Sequence, residues 1–228
     1  MERENLNKWL TRLFAFALVI LIITFSIALP IYFRPFYYVQ MKLLDYTERA
    51  GAQYTDEMVW DAYNEVLDYL TLPGKEFGTG AFPHSEDGAS HFRDVKVLFN
   101  INAAALLISL ITVVTLFILN KKKIISLEKK NGYHISYYAG KWTLIIFAAT
   151  ALLASINFDV AFDVFHKIFF PGKTNWYFDY KVDPIIWVLP QSFFRNCAIL
   201  IVSSIIVICV SLIIYNKIYN KMKENRRD

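Results

Sequence analysis

The chain has 228 residues, 56% of them hydrophobic, with 24 Lys and Arg against 20 Asp and Glu for a formal net charge of +4. A mean hydropathy of +0.34 is too apolar for an ordinary soluble domain, so the chain reads as an integral membrane protein. It holds no glycine-rich phosphate loop, and its basic clusters lie beside apolar runs without interleaved aromatics, which leaves nucleotide and nucleic-acid binding without support.

Residues 1–33 are a basic N-terminal segment and a first span. Leu13 to Phe33 contains no charged residue and is long enough for a hydrocarbon core of about 30 Å. A cleavable signal peptide is the competing reading, since Lys8 and Arg12 precede the run and Ser26 with Ala28 loosely fits a small-residue cleavage site. The run is longer than the roughly 7 to 15 residues of such an apolar region and continues past Ala28, so a retained anchor is expected.

Residues 34–96 are a small cap between spans 1 and 2. Within it Thr55 is an N-cap with Asp56 and Glu57 in the first turn, and Met58, Val59, Ala62, Tyr63, Val66, Leu67 and Leu70 trace one helical face. Pro73-Gly74 ends that helix, and Gly78, Gly80, Pro83 and Gly88 mark loops.

The second span is residues 97–119 and the loop after it 120–141. The third span, residues 142–170, runs uncharged from Trp142 to Phe158 and then continues in helical register through Asp159 and Asp163. A loop at 171–192, a fourth span at 193–216 and a tail at 217–228 complete the chain. The expected fold is an all-α membrane protein, a four-transmembrane-helix bundle with an extracytoplasmic cap.

Basic residues set the orientation. The N-terminal segment, the middle loop and the tail hold fourteen of the 24 Lys and Arg, so both termini are expected to be cytoplasmic. The Lys runs read as topology signals and contacts to anionic membrane lipids. The stretch from Arg34 to Lys96 carries six basic and eleven acidic residues and is expected outside. Cys197 and Cys209 lie 12 residues apart on one helix, about 18 Å along its axis, too far for a disulfide.

Depth then gathers the polar residues. Counted from Trp142, Asp159, Asp163 and His166 lie about 26, 32 and 36 Å along the third helix, at the outer edge of the core. Asp94 and His91 sit about 5 and 9 Å before Val97, and Arg195 directly precedes the uncharged part of the fourth span. Asp159, Asp163 and His166 are spaced i, i+4 and i+7 on one face, and Asp94 follows His91 by three. A carboxylate beside an imidazole fixes its tautomer and raises its basicity, which suits a general base.

Ionisable groups at that depth are functional candidates, although each alone can simply snorkel or cap. His84 sits in a Gly/Pro-containing loop and reads as a surface residue; His134 is cytoplasmic by topology. Two alternatives use the same cluster. A metal-dependent membrane hydrolase would draw on the His and Asp as ligands, but no compact H-E-x-x-H spacing is present. A small transporter or sensor would place charges at the bilayer midplane, where the polar residues are mild ones such as Ser109, Thr112, Ser203 and Ser204. No metal and no cofactor are expected.

His91-Phe92-Arg93-Asp94-Val95-Lys96 forms an H-x-x-D-V-K motif, preceded by Tyr69-Leu70. Phe165 to Gly172, then Trp176, Phe178, Asp183, Pro184, Pro190, Phe193 and Phe194, form an F-H-x-x-F-F-x-G, W-x-F and P-x-x-F-F pattern. In these motifs and their order the chain resembles the bacterial lipoprotein intramolecular transacylases. The resemblance implies an acyltransferase of the bacterial cell membrane that acts on lipoproteins whose N-terminal cysteine carries a diacylglyceryl thioether. It would move the sn-2 acyl chain to the cysteine's α-amine and leave an N-acyl lyso-form.

Under that implication His166 is the principal base, oriented by Asp163 or Asp159, and His91, supported by Asp94, is the second acid/base or positions the ester. Arg195, Asn196 or the Trp176 indole would stabilise the oxyanion. A two-step route, with His166 taking the acyl chain, is the alternative, and Ser90 beside His91 is the nearest hydroxyl nucleophile.

Overall fold

A computed structural model describes residues 2–225; Arg226 and Arg227, counted above in the tail, lie outside the described residues. In chain order the helices are α1 (Glu2–Tyr32), α2 (Pro35–Leu43), α3 (Tyr46–Ala50), α4 (Asp56–Thr71) and α5 (Glu86–Lys121). A short hairpin, β1 (Lys129–Lys130) and β2 (Tyr133–His134), precedes α6 (Ile135–Ile156), α7 (Phe158–Phe169), α8 (Ile185–Val188) and α9 (Gln191–Glu224). Four of these, α1, α5, α6 and α9, are long and apolar enough to cross a membrane. The protein is an all-α, multi-pass membrane protein.

The described residues form two compact units. The first comprises the described part of Met1–Ala28, Ala103–Leu153 and Ile201–Asp228. Its core is mostly aliphatic: Phe14, Leu18 and Ile22 of α1 pack with Leu116 of α5, Leu127, Ala139 of α6 and Ile205 and Cys209 of α9. Gly140 lets α6 approach α9 closely, since a Cβ there would lie 3.3 Å from the Cys209 carbonyl oxygen. Side-chain oxygens close the loop after α5: Asn7 Oδ1 accepts from Ser126 N, Thr11 Oγ1 from Glu128 N and Asn120 Oδ1 from Leu127 N.

The second unit comprises Leu29–Asn102 and Ala154–Leu200. It is built on aromatic rings. Tyr37 of α2 stacks on Tyr63 of α4 at 3.6 Å and meets Phe193 edge-on at 5.3 Å, and its hydroxyl donates to the Val188 carbonyl at 2.7 Å. Helix α4 begins where the sequence pattern places it: the Thr55 hydroxyl accepts from Met58 N, and Val59, Ala62, Tyr63, Val66, Leu67 and Leu70 are buried. It stops at Leu72, whose extended backbone suits the residue before Pro73.

Two expectations need correction. The third apolar helix starts at Ile135, seven residues before Trp142. It also ends at Ile156 instead of running on to 170. Asn157 leaves the helical region (φ −153°, ψ 102°), and its side-chain oxygen accepts from Val160 N at 3.1 Å, making it the N-cap of a new helix. The rise counted along one continuous helix therefore does not carry beyond Ile156. The shared face survives, because Asp159, Asp163 and His166 all lie on α7.

Candidate active site

The first histidine is placed by the start of α5. Ser85 caps that helix: its Oγ accepts from Gly88 N at 2.9 Å and donates to an Asp183 oxygen at 2.7 Å, while Ser85 N donates to the other Asp183 oxygen at 2.7 Å. Asp183 is buried, and its negative charge lies where the helix exposes unpaired N–H groups, which favours the pair. Only glycine fits at position 88, since a Cβ there would lie 2.5 Å from Asp183 Oδ1. One turn on, His91 points inward.

The second histidine sits in the last turn of α7. Its Nδ1 is 2.8 Å from the Phe162 carbonyl oxygen one turn earlier. A carbonyl can only accept, so Nδ1 carries the proton and Nε2 keeps its lone pair. The ring stacks on Trp176 at 4.4 Å and 23°. Burial holds His166 below the ordinary imidazole pKa, with the Phe162 carbonyl and the Asp163 charge pulling the other way.

The two imidazoles face each other, with ring centroids 5.8 Å apart. Phe170 and Phe178 wall His91 at 5.0 and 5.6 Å. His91 and His166 are 6% and 7% exposed, and His91 Nδ1 is buried without a hydrogen-bond partner. A fixed neutral base and an imidazole whose Nδ1 has no hydrogen-bond partner thus share one aromatic chamber.

The carboxylates do not do what their spacing suggested. Asp94 does not hydrogen-bond His91; its oxygens accept from Lys173 Nζ and, at 3.2 Å, from Asn175 Nδ2. Asn175 Nδ2 also reaches the Ser90 hydroxyl at 3.4 Å. His166 takes its orientation from a backbone carbonyl, and Asp159 accepts from Gln191 Nε2 at 2.9 Å. Asp159 and Asp163 instead line an open cleft of about 420 Å³ with Phe162, Trp176, Phe178 and Gln191.

Two of the three expected oxyanion donors are otherwise engaged. Trp176 Nε1 donates to the Lys173 carbonyl at 3.1 Å, Asn196 donates to Gln40 Oε1 of α2 at 2.7 Å, and Arg195 is exposed on α9. His84 is exposed, within hydrogen-bond distance of Thr79 Oγ1, and His134 belongs to the first unit. Among the described residues no three His, Cys, Asp or Glu are grouped to hold a metal ion. Sequence reasoning missed Lys173 and Asn175. Each lies about 80 positions from Asp94, beyond any helical or strand periodicity, and only the neighbouring W-x-F pattern at Trp176 and Phe178 marked the segment.

The family model described as lipoprotein intramolecular transacylase Lit matches residues 12–194. No curated protein sequence matches the chain. Among solved structures, the membrane-integral lipoprotein intramolecular transacylase Lit from Bacillus cereus is 24% identical over 96% of this chain and 99% of that one, with a TM-score of 0.83. A form of that protein with a histidine-to-arginine substitution gives 24% identity, 98% and 100% coverage and a TM-score of 0.75. A histidine-to-alanine form gives 23%, 96% and 97%, and 0.75.

Proposed function

The chain belongs to the lipoprotein intramolecular transacylase family, whose model spans most of its length, and on that premise we propose that the buried histidine pair performs the transfer. The enzyme is an acyltransferase. It moves the sn-2 acyl chain of a diacylglyceryl-modified N-terminal cysteine onto that cysteine's α-amine, giving an N-acyl lyso-form lipoprotein. The observation that carries the assignment of residues is the facing of His91 and His166, with His166 Nδ1 committed to the Phe162 carbonyl.

The proton balance divides the work. His166 Nε2 takes a proton from the substrate's α-ammonium, and the free amine attacks the sn-2 ester carbonyl. The tetrahedral adduct then carries a protonated nitrogen and an oxyanion. His91 takes the nitrogen's second proton and returns it to the departing glycerol oxygen as the C–O bond breaks. The proton on His166 leaves to solvent, so ammonium and ester become amide, alcohol and one released proton. Positioned acid/base groups of this kind contribute about 10²- to 10⁴-fold in rate. Amine and ester belong to one molecule, so holding them together supplies much of the rest.

Asp159 and Asp163 on the cleft wall supply counter-charge for the ammonium before it is deprotonated. Asp94 acts through Lys173 and Asn175, holding the 173–178 segment so that Trp176 covers His166 and Phe178 covers His91. The distribution of Lys and Arg supports cytoplasmic termini and a site at the extracytoplasmic interface of the bacterial cell membrane, where the ester of a lipid-anchored protein lies.

The test is expression in a host lacking other lipoprotein N-acyltransferases, followed by mass spectrometry of N-terminal lipopeptides. The expected product is the N-acyl lyso-form; a diacyl form with a free amine, despite good expression, would refute the reading. An acyl adduct on the enzyme, trapped with a slow substrate, would replace direct transfer by the two-step route.

A further inference from the structure

The cleft beside the histidines carries more negative charge than the reaction uses. Asp159 and Asp163 both line it, and neither pairs with a Lys or Arg: the ion pairs among the described residues lie elsewhere. Asp159 accepts from the neutral Gln191 side chain at 2.9 Å, which orients the carboxylate without cancelling its charge. The reaction supplies one cation, the α-ammonium, and removes that charge before the amine attacks. Two carboxylates thus face at most one positive group.

The cleft adjoins both imidazoles. Of the rings on its wall, Phe162 and Trp176 lie 4.3 and 4.4 Å from His166, and Phe178 lies 5.6 Å from His91. Its volume of about 420 Å³ suits a small ligand or a short stretch of peptide. A substrate with its α-amine at His166 Nε2 has the residue after its cysteine within reach of this wall, since successive Cα atoms are only about 3.8 Å apart. Helix α7 sets the order along the wall. Asp163 stands three residues before His166 and Asp159 seven, about 4.5 and 10.5 Å along the axis. Asp163 is nearer the α-amine, and Asp159 lies about 6 Å further on, less than two extended residues away. Tyr177 also lines the cleft; it is 58% exposed and stacks on Trp176 at 3.6 Å, so one ring face stays free. A carboxylate beside an open aromatic face holds the tip and the stem of a long cationic side chain.

We propose that Asp159 and the free face of Tyr177 select lipoprotein substrates that carry Lys or Arg immediately after the lipidated cysteine. The selection rests on the transacylase reading of the histidine pair and adds to it a preference in the peptide part of the substrate. The diacylglyceryl cysteine is common to every such substrate, so the first peptide residue is the nearest group by which one can be told from another. Asp159 and Tyr177 act on binding and touch no reacting atom.

Diacylglyceryl-cysteine lipopeptides identical except for Lys, Gln or Glu after the cysteine, turned over by the full chain in an uncharged detergent, read the selection as kcat/KM. The Lys peptide should exceed Gln by about threefold and Glu by about tenfold, mostly through KM. Raising the salt from about 0.01 to about 1 M should shrink both ratios. Asp159→Asn should reduce the Lys-to-Glu ratio to about threefold or less, and Asp159→Glu should keep it near the wild-type value. Tyr177→Leu should lower the preference for Lys about twofold. Glu57→Gln, which removes an acid of α4 that does not line the cleft, should leave the ratio unchanged. Equal kcat/KM for the three peptides would overturn the selection and leave the transacylase reading standing, and a ratio that survived Asp159→Asn would overturn the role of Asp159. Turnover of none of the three would refute the transacylase reading and the selection with it.

Discussion

The two units solve their packing differently. The first is cemented by aliphatic side chains, Leu18, Ile22, Leu116 and Ile205 among them, and keeps its polar atoms for loop closure. The second packs rings that carry polar tips, so that a contact such as Tyr37 to Val188 fixes one oxygen against another as well as excluding water. An aliphatic core constrains volume and a ring-and-hydroxyl core constrains the position of particular atoms. The histidine pair, whose chemistry depends on where two nitrogens lie, is in the second kind of unit.

The comparison breaks first at the histidines. His166→Ala and His91→Ala should each lower conversion of diacyl lipopeptide by about 10²- to 10⁴-fold, with little change in melting temperature, while His84→Ala and His134→Ala keep wild-type rates. An essential His84 would mean that the site is misplaced. Next comes the clamp on Asp94. Lys173→Ala should cost roughly tenfold in turnover by loosening the segment that covers both rings, and Lys173→Arg should recover most of it in the same lipopeptide assay.

Stability separates the units more gently. Tyr37→Phe strands the buried Val188 carbonyl and should cost about 1–3 kcal/mol. Ile205→Val in the aliphatic core should cost about 0.5–1.5 kcal/mol. Thermal or denaturant unfolding in detergent compares them, and a larger cost for Ile205→Val would sink the contrast.

The smallest effect expected is on pH. The His166 base works when neutral, and burial depresses its pKa, so activity should persist to more acidic pH than an ordinary imidazole allows before falling. Asp163 pulls that pKa upward. Asp163→Asn should therefore move the acidic limb of the pH–rate profile further toward low pH; a shift upward would contradict the placement of Asp163.

Much of this was written in local pattern. Helix α4 was legible from Thr55 to Pro73 because caps, a 3.6-residue period and a pre-proline residue act over one or two turns. The break at Asn157 was legible in principle, since an Asn followed by Asp159 in the first turn is an N-cap pattern, but the uncharged run leading up to it concealed it. The partners of Asp94 and His166 were not legible. Helical spacing put Asp94 within reach of His91 and Asp163 within reach of His166, yet reach does not decide which of several donors or acceptors is taken. A lysine arriving from a distant loop won Asp94, and a backbone carbonyl won His166.

Composition and periodicity by themselves determined that this chain crosses a membrane on four helices, because burying an uncharged run of about twenty residues is a local requirement of the solvent, while its two histidine motifs pointed to a transacylase family by resemblance. Only the tertiary structure decided that the two imidazoles face each other inside an aromatic chamber, with one ring nitrogen of His166 already committed. The ring packing and the capture of Asp94 are settled between segments some eighty residues apart, where sequence spacing carries no geometric information, and the His166 bond by a competition that spacing leaves open.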